Sequence, residues 1–167
     1  MHAWAEFYTA TAAASAALLG LLFVVVSINA PAALGPEQAV SRRLTEQAFQ
    51  NYLAVMMVSL LALFADIHTP VFGGVTLAST ATWSIWVFIR FGQTVFHRAE
   101  RRSWILAIRR HFSSLIGFAM LLVAATRMTL DVGDNTSWLA ASMLVLLFSA
   151  TSVSWELLAR IAERKPD

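Results

Sequence analysis

Asp66, Arg90, Arg127 and Glu156 stand inside or at the ends of otherwise apolar stretches. A charge at bilayer depth is costly, about 2.5–3.5 kcal/mol for Arg or Asp at mid-helix on insertion scales, so such groups pair or face a cavity. Arg90 and Glu156 fall at similar distances along two apolar runs that cross in the same direction. They are expected to face one another as an intramembrane ion pair, direct or bridged by water. The alternative is that Arg90 extends to the headgroups while Glu156 pairs with Arg160 four residues on. Asp66, His68, Arg127 and Asp131 form a second set, expected at the outer face, and the i, i+4 spacing of Arg127 and Asp131 suits a local pair. A divalent cation held by Asp66, His68 and Asp131 would need converging oxygen and imidazole ligands. No ligand spacing supports one, and no metal is expected.

The first apolar stretch allows a different chemistry. Glu6, Thr11, Ser15, Leu18, Leu22, Val25 and Asn29 lie roughly along one stripe. Turned inward in an assembly of copies, that stripe would present an acidic outer ring above an apolar constriction. Acidic rings favour cations, and apolar constrictions gate by dewetting. The same stripe serves equally well for packing inside one bundle. Two further polar lines can be drawn: Ser142, Ser149, Ser152 and Glu156, and Thr76, Thr80, Arg90, Thr94 and His97. Ser and Thr in lipid bond to their own helix or across to a neighbour, or they edge a hydrophilic path.

Enzyme chemistry finds little support. His2, His68, His97 and His111 form no haem or metal pattern, and there is no Ser-His-Asp grouping, Gly-rich phosphate loop or HExxH. There is no cysteine, which excludes disulfides and thiolate metal sites. No cofactor is expected.

The elements that must position these residues are long apolar helices. The chain is 58% hydrophobic and 13% charged, with a mean hydropathy of +0.65, against roughly 25% charged in soluble domains. Five stretches stand out, at about 7–28, 52–64, 75–91, 112–130 and 138–158. Of the twelve basic residues, ten lie in alternate connections: Arg42 and Arg43; Arg98, Arg101, Arg102, Arg109 and Arg110; Arg160, Arg164 and Lys165. Cytoplasmic loops carry the excess of Lys and Arg. The expected fold is therefore all-α: a single polytopic membrane domain of five transmembrane helices, N-terminus outside and C-terminus cytoplasmic.

The first stretch lacks a basic start, runs for about 22 apolar residues and is read as a retained helix rather than a cleaved signal. Ala12, Ala16 and Gly20, with Ala13 and Ala17 beside them, let helices approach closely, within the bundle or between subunits. Pro31 and Gly35-Pro36 end that helix and begin the next. From Pro36 to Ala65 nothing breaks the chain, so a second helix about 45 Å long should extend into the cytoplasm. Pro70 and Gly73-Gly74 read as breakers of the outer turn.

Arg98 to His111 carries Trp104, Ile105 and Ile108 on one face. It suits an amphipathic segment in the inner interface, free-standing or continuous with a neighbouring helix. Arg98, Arg101, Arg102, Arg109 and Arg110 are expected to touch anionic lipid headgroups. The high isoelectric point is thereby explained without nucleic acid.

Phe7 to Asn29, FYTATAAASAALLGLLFVVVSIN, resembles the opening of a group of small, uncharacterised bacterial membrane proteins. These share an aromatic pair, a small-residue run, LxGLLFV and a VSIN-like end. The resemblance covers the first helix alone. It implies a location in the bacterial inner membrane and brings neither an activity nor site residues.

The leading expectation is a homo-oligomeric channel or pore-forming protein that prefers cations, because a chain this short has little room for paired repeats. The competing one is an accessory or scaffolding subunit of a larger membrane complex, docking through the small-residue face of the first helix and the basic inner loop. A lipid-acting membrane enzyme, using a water-accessible Glu156 or Asp66, is third.

Overall fold

The computed structural model describes residues 2–35, 38–64, 70–96, 101–130, 132 and 136–163. Within these, side chains are described except at 2, 3, 32, 70, 83, 86–96 and 101–112. The chain is all-helical, with α1 (His2–Ile28), the short α2 (Ala30–Leu34), α3 (Ala39–Phe64), α4 (Pro70–Phe96), α5 (Arg101–Thr129) and α6 (Thr136–Ala162).

Three helices are long and apolar enough to cross a membrane: Trp4–Ile28, Ala39–Phe64 and Thr136–Ala162. At about 1.5 Å per residue each exceeds the roughly 30 Å hydrocarbon core. Their outward faces are apolar: Phe23 and Ile28 on α1, Leu60 and Phe64 on α3, Leu144 and Phe148 on α6. Large apolar side chains exposed along all three of these helices suit contact with lipid rather than water. The apolar parts of α4 and α5 among the described residues, Val71–Thr82 and Ser113–Thr129, are shorter.

The helices fall into two compact units, residues 1–60 with 147–167, and residues 61–146. The first is built on a cluster in which Leu22 and Val26 of α1 meet Leu44, Ala48 and Tyr52 of α3 and Ala150, Val153 and Leu157 of α6. The end of α1 lies by the start of α3, and Thr11 near the start of α1 bonds Ser59 near the end of α3. The two helices are thus antiparallel. Asn51 meets Ser149 while Leu44 shares the cluster with Leu157 and Ile161, so α6 is antiparallel to α3 and parallel to α1.

In the second unit α4 and α5 form a hairpin whose open end is closed at Gly73. A Cβ there would stand 2.5 Å from the Thr129 backbone nitrogen and 2.9 Å from the Met128 carbonyl carbon. Gly117 of α5 faces the Leu146 side chain of α6, whose Cγ would stand 2.8 Å from a Cβ there.

Several boundaries differ from expectation. Gly73 and Gly74, read as turn residues, lie inside α4, which starts at Pro70. Proline is favourable in a first helical turn, and Gly73 serves close approach to α5 rather than a break. Pro31 does not separate two long helices. It occupies the first turn of α2, after a break at Asn29, and α3 runs from Ala39, while Pro36 lies outside the described residues. The basic amphipathic segment is continuous with the helix that follows, since α5 runs unbroken from Arg101.

Candidate functional site

The first unit encloses a polar seam between α1, α3 and α6. Near its α1 end the Thr11 and Ser59 hydroxyl oxygens lie 2.9 Å apart, both buried. Thr11 Oγ1 also donates toward the Phe7 and Tyr8 carbonyls, at 3.0 and 3.1 Å. With that proton engaged in its own helix, Ser59 is left to donate across the gap. One turn on, the buried Ser15 donates to the Thr11 carbonyl at 2.7 Å.

Deeper along α3, the fully buried Asn51 and Tyr52 meet α6. Asn51 Nδ2 donates to Ser149 Oγ at 3.4 Å. The Tyr52 hydroxyl donates to Thr151 Oγ1 at 3.3 Å and accepts from Ser154 Oγ at 3.5 Å. These contacts are long, and Thr151 also satisfies itself on the Leu147 carbonyl at 2.9 Å. The seam is uncharged; it fixes the register of three apolar helices with hydroxyl, amide and phenol groups.

At the end of α6, Glu156 accepts two bonds from Arg160, at 3.1 and 3.0 Å, the local i, i+4 alternative. The Arg90 side chain lies outside the described residues, so the expected Arg90–Glu156 pair does too. Asp66, His68 and Asp131 of the outer cluster are likewise outside them, while Arg127 is exposed near the end of α5. The side chains of Arg98, Arg101, Arg102, Arg109 and Arg110 are also outside them. No group of three or more metal-ligating side chains converges among the described residues.

Along the stripe expected to line an ion path, Thr11, Ser15 and Leu22 are buried in the first unit. Leu18 and Val25 pack against its apolar cluster. Asn29 is half-buried and donates to the Val25 carbonyl at 3.0 Å. Glu6 alone of the seven is exposed. From Thr11 to Val25 the stripe therefore faces the chain's own helices, the packing use of the same residues.

The opposite side of α1 is exposed among the described residues. Ala10, Ala13, Ala17, Gly20, Val24 and Ser27 recur every three or four residues and are all exposed. A Cβ on Gly20 would meet no described residue within 4 Å beyond its own helix turn. At the N-terminal end of this face Ala5, Glu6, Thr9, Ala10 and Ala13 border an open groove of about 430 Å³.

Sequence reasoning missed Asn51, Tyr52 and Ser59, which supply the α3 side of the seam. Their signal was a helical period: Tyr52, Val55 and Ser59 share one face, as do Asn51 and Val55. Comparison with protein-family models, curated proteins and solved structures finds nothing that matches this chain.

Proposed function

We propose that this chain is an accessory or scaffolding subunit of a membrane complex, which docks partner helices on the outward small-residue face of α1. The observation that carries this is the division of α1. Its polar and leucine-bearing stripe is consumed by α3 and α6, while Ala10, Ala13, Ala17 and Gly20 face outward. In lipid no hydrophobic force drives helices together, and surfaces of small residues are where backbones approach closely enough to associate.

The orientation we favour is N-terminus outside and C-terminus cytoplasmic, with five crossings in a bacterial inner membrane. Antiparallel α3 and parallel α6 support it, because the chain between them must then make an even number of crossings. Arg42, Arg43 and Arg160 then share the cytoplasmic face. Trp138 and Trp155, both exposed on α6, are about 26 Å apart along the helix. That spacing suits anchors at the two interfaces of one bilayer. The basic start of α5 would lie against anionic inner-leaflet lipid.

A homo-oligomeric cation pore is a second reading, supported by the exposure of Glu6 on the same outward face. Its wall would then be Ala10, Ala13, Ala17 and Gly20 rather than Leu18, Leu22 and Val25.

The deciding experiment is the composition and mass of the particle extracted from native membranes, followed by ion flux in liposomes. A stoichiometric hetero-complex, crosslinked through a photoreactive residue at Ala17 and without flux, is expected. A closed assembly of this chain alone that passes cations would overturn the accessory role.

A further inference from the structure

Serine and threonine in this chain commonly satisfy themselves on their own helix. Thr9, Thr126 and Ser152 donate to the carbonyl four residues back at 2.8–2.9 Å. On α4, Ser79 donates to the Thr76 carbonyl at 3.0 Å and the exposed Thr82 to the Ala78 carbonyl at 2.8 Å. The buried face of α4 behaves differently. Thr76 is 0% exposed and Ser84 4%, and neither hydroxyl has a hydrogen-bond partner among the described residues. Thr80, 3% exposed, lies between them.

A buried hydroxyl without a partner costs about 1–3 kcal/mol. Two on one face call for a polar occupant within reach. The three positions recur at four-residue intervals, over about 12 Å of helix, and continue the face on which Gly73 meets α5. Ser114 of α5 and Thr136 and Ser142 of α6 are buried in the same unit. None of the buried polar residues described there is charged. Hydroxyls both donate and accept, and an uncharged set of them suits a neutral occupant that does the same. A hard divalent cation would call for carboxylates.

We propose that the Thr76–Thr80–Ser84 face of α4 is an internal hydration site, holding ordered water inside the α4–α5 unit. Bound water typically makes about three bonds to buried polar groups that would otherwise lack partners. Here it joins the α4 hydroxyls along the helix. The site is independent of the role given to α1.

Water-edited solid-state NMR on the full chain in lipid bilayers, with labelled Ala, Ser and Thr, tests this directly. Thr76 and Ser84 are expected to draw magnetisation from water at least fivefold faster than Ala124 and Ala125, which are equally buried in the same unit. Equal build-up would overturn the proposal. Thermal unfolding gives a second readout. Thr76→Val keeps the shape and removes the hydroxyl, so it should lower the midpoint if that hydroxyl anchors water, while Thr76→Ser should restore it. A midpoint unchanged or raised in both Thr76→Val and Ser84→Ala would mean that the hydroxyls are merely tolerated, and the hydration site would be rejected.

Discussion

The Thr11 and Ser59 hydroxyls meet at 2.9 Å across the α1–α3 interface, 48 residues apart in sequence. Because Thr11 also donates into its own helix, the pair has a direction, Ser59 to Thr11. Ser59→Ala should then remove the bridge while leaving Thr11 satisfied. Interhelical bonds of this kind average about 0.6 kcal/mol in membrane bundles and reach about 1.7. A double-mutant cycle of Thr11→Val with Ser59→Ala, read by unfolding in mixed micelles, should return a coupling of about 0.5–1 kcal/mol. Strict additivity would show that the two hydroxyls do not interact.

Gly73 and Gly74 are neighbours with opposite expected responses. Alanine at Gly73 places a methyl carbon against the Thr129 and Met128 backbone, which cannot turn away as a side chain can, whereas alanine at Gly74 meets no described residue within 4 Å beyond its own helix turn. Gly73→Ala should force α4 from α5 and destabilise by about 1–3 kcal/mol, the usual scale of overpacking. Gly74→Ala should be neutral or stabilising by up to about 1 kcal/mol through helix propensity. Unfolding curves for the two variants check the contrast, and equal effects would argue against a close α4–α5 approach.

The Glu156–Arg160 pair is partly exposed, with side-chain exposures of 31% and 36%. It has the i, i+4 spacing, and such pairs are worth about 0.3–0.5 kcal/mol. Arg160→Ala should cost no more than that, and salt should shrink the difference further. A loss of several kcal/mol would mean that Arg160 holds more than its helical neighbour.

How far these features could be read from sequence differs from residue to residue. Helix α1 was legible to its last residue, Ile28, because an uninterrupted apolar run leaves few alternatives. Which of its faces turned inward was not. In lipid the faces toward the core and toward the acyl chains are both apolar, so Leu18 and Leu22 look alike whether they pack on α3 or line an assembly. Gly73 and Gly74 read as breakers yet lie inside a helix, because glycine lowers helix propensity only modestly, an amount that tertiary packing routinely overrides, and at Gly73 the missing side chain lets α5 approach. Tyr52 was seen as the start of an apolar run, and its hydroxyl gained meaning only when α6 brought Thr151 and Ser154 beside it. The composition of α3 alone could not pair it with residues about a hundred positions away.

Gly20 separates stability from association. Beyond its own helix turn, no described residue lies within 4 Å of a Cβ placed there, and it sits mid-helix on the outward small-residue face. A bulky Gly20→Leu substitution should therefore leave the unfolding midpoint of the isolated chain unchanged or slightly raised, since leucine favours helix over glycine. If that face receives a partner helix, the same leucine holds the backbones apart and should reduce the recovery of partner chains severalfold. Leu22→Ala, on the opposite and buried face, should do the reverse. It leaves the outward surface intact but opens a cavity in the α1–α3–α6 cluster at a cost of about 2–5 kcal/mol. Measuring midpoint and co-purification for both variants gives a crossed pattern if α1 divides its faces between core and partner. Loss of partners in Leu22→Ala at temperatures where the chain remains folded, with none in Gly20→Leu, would place the docking surface elsewhere.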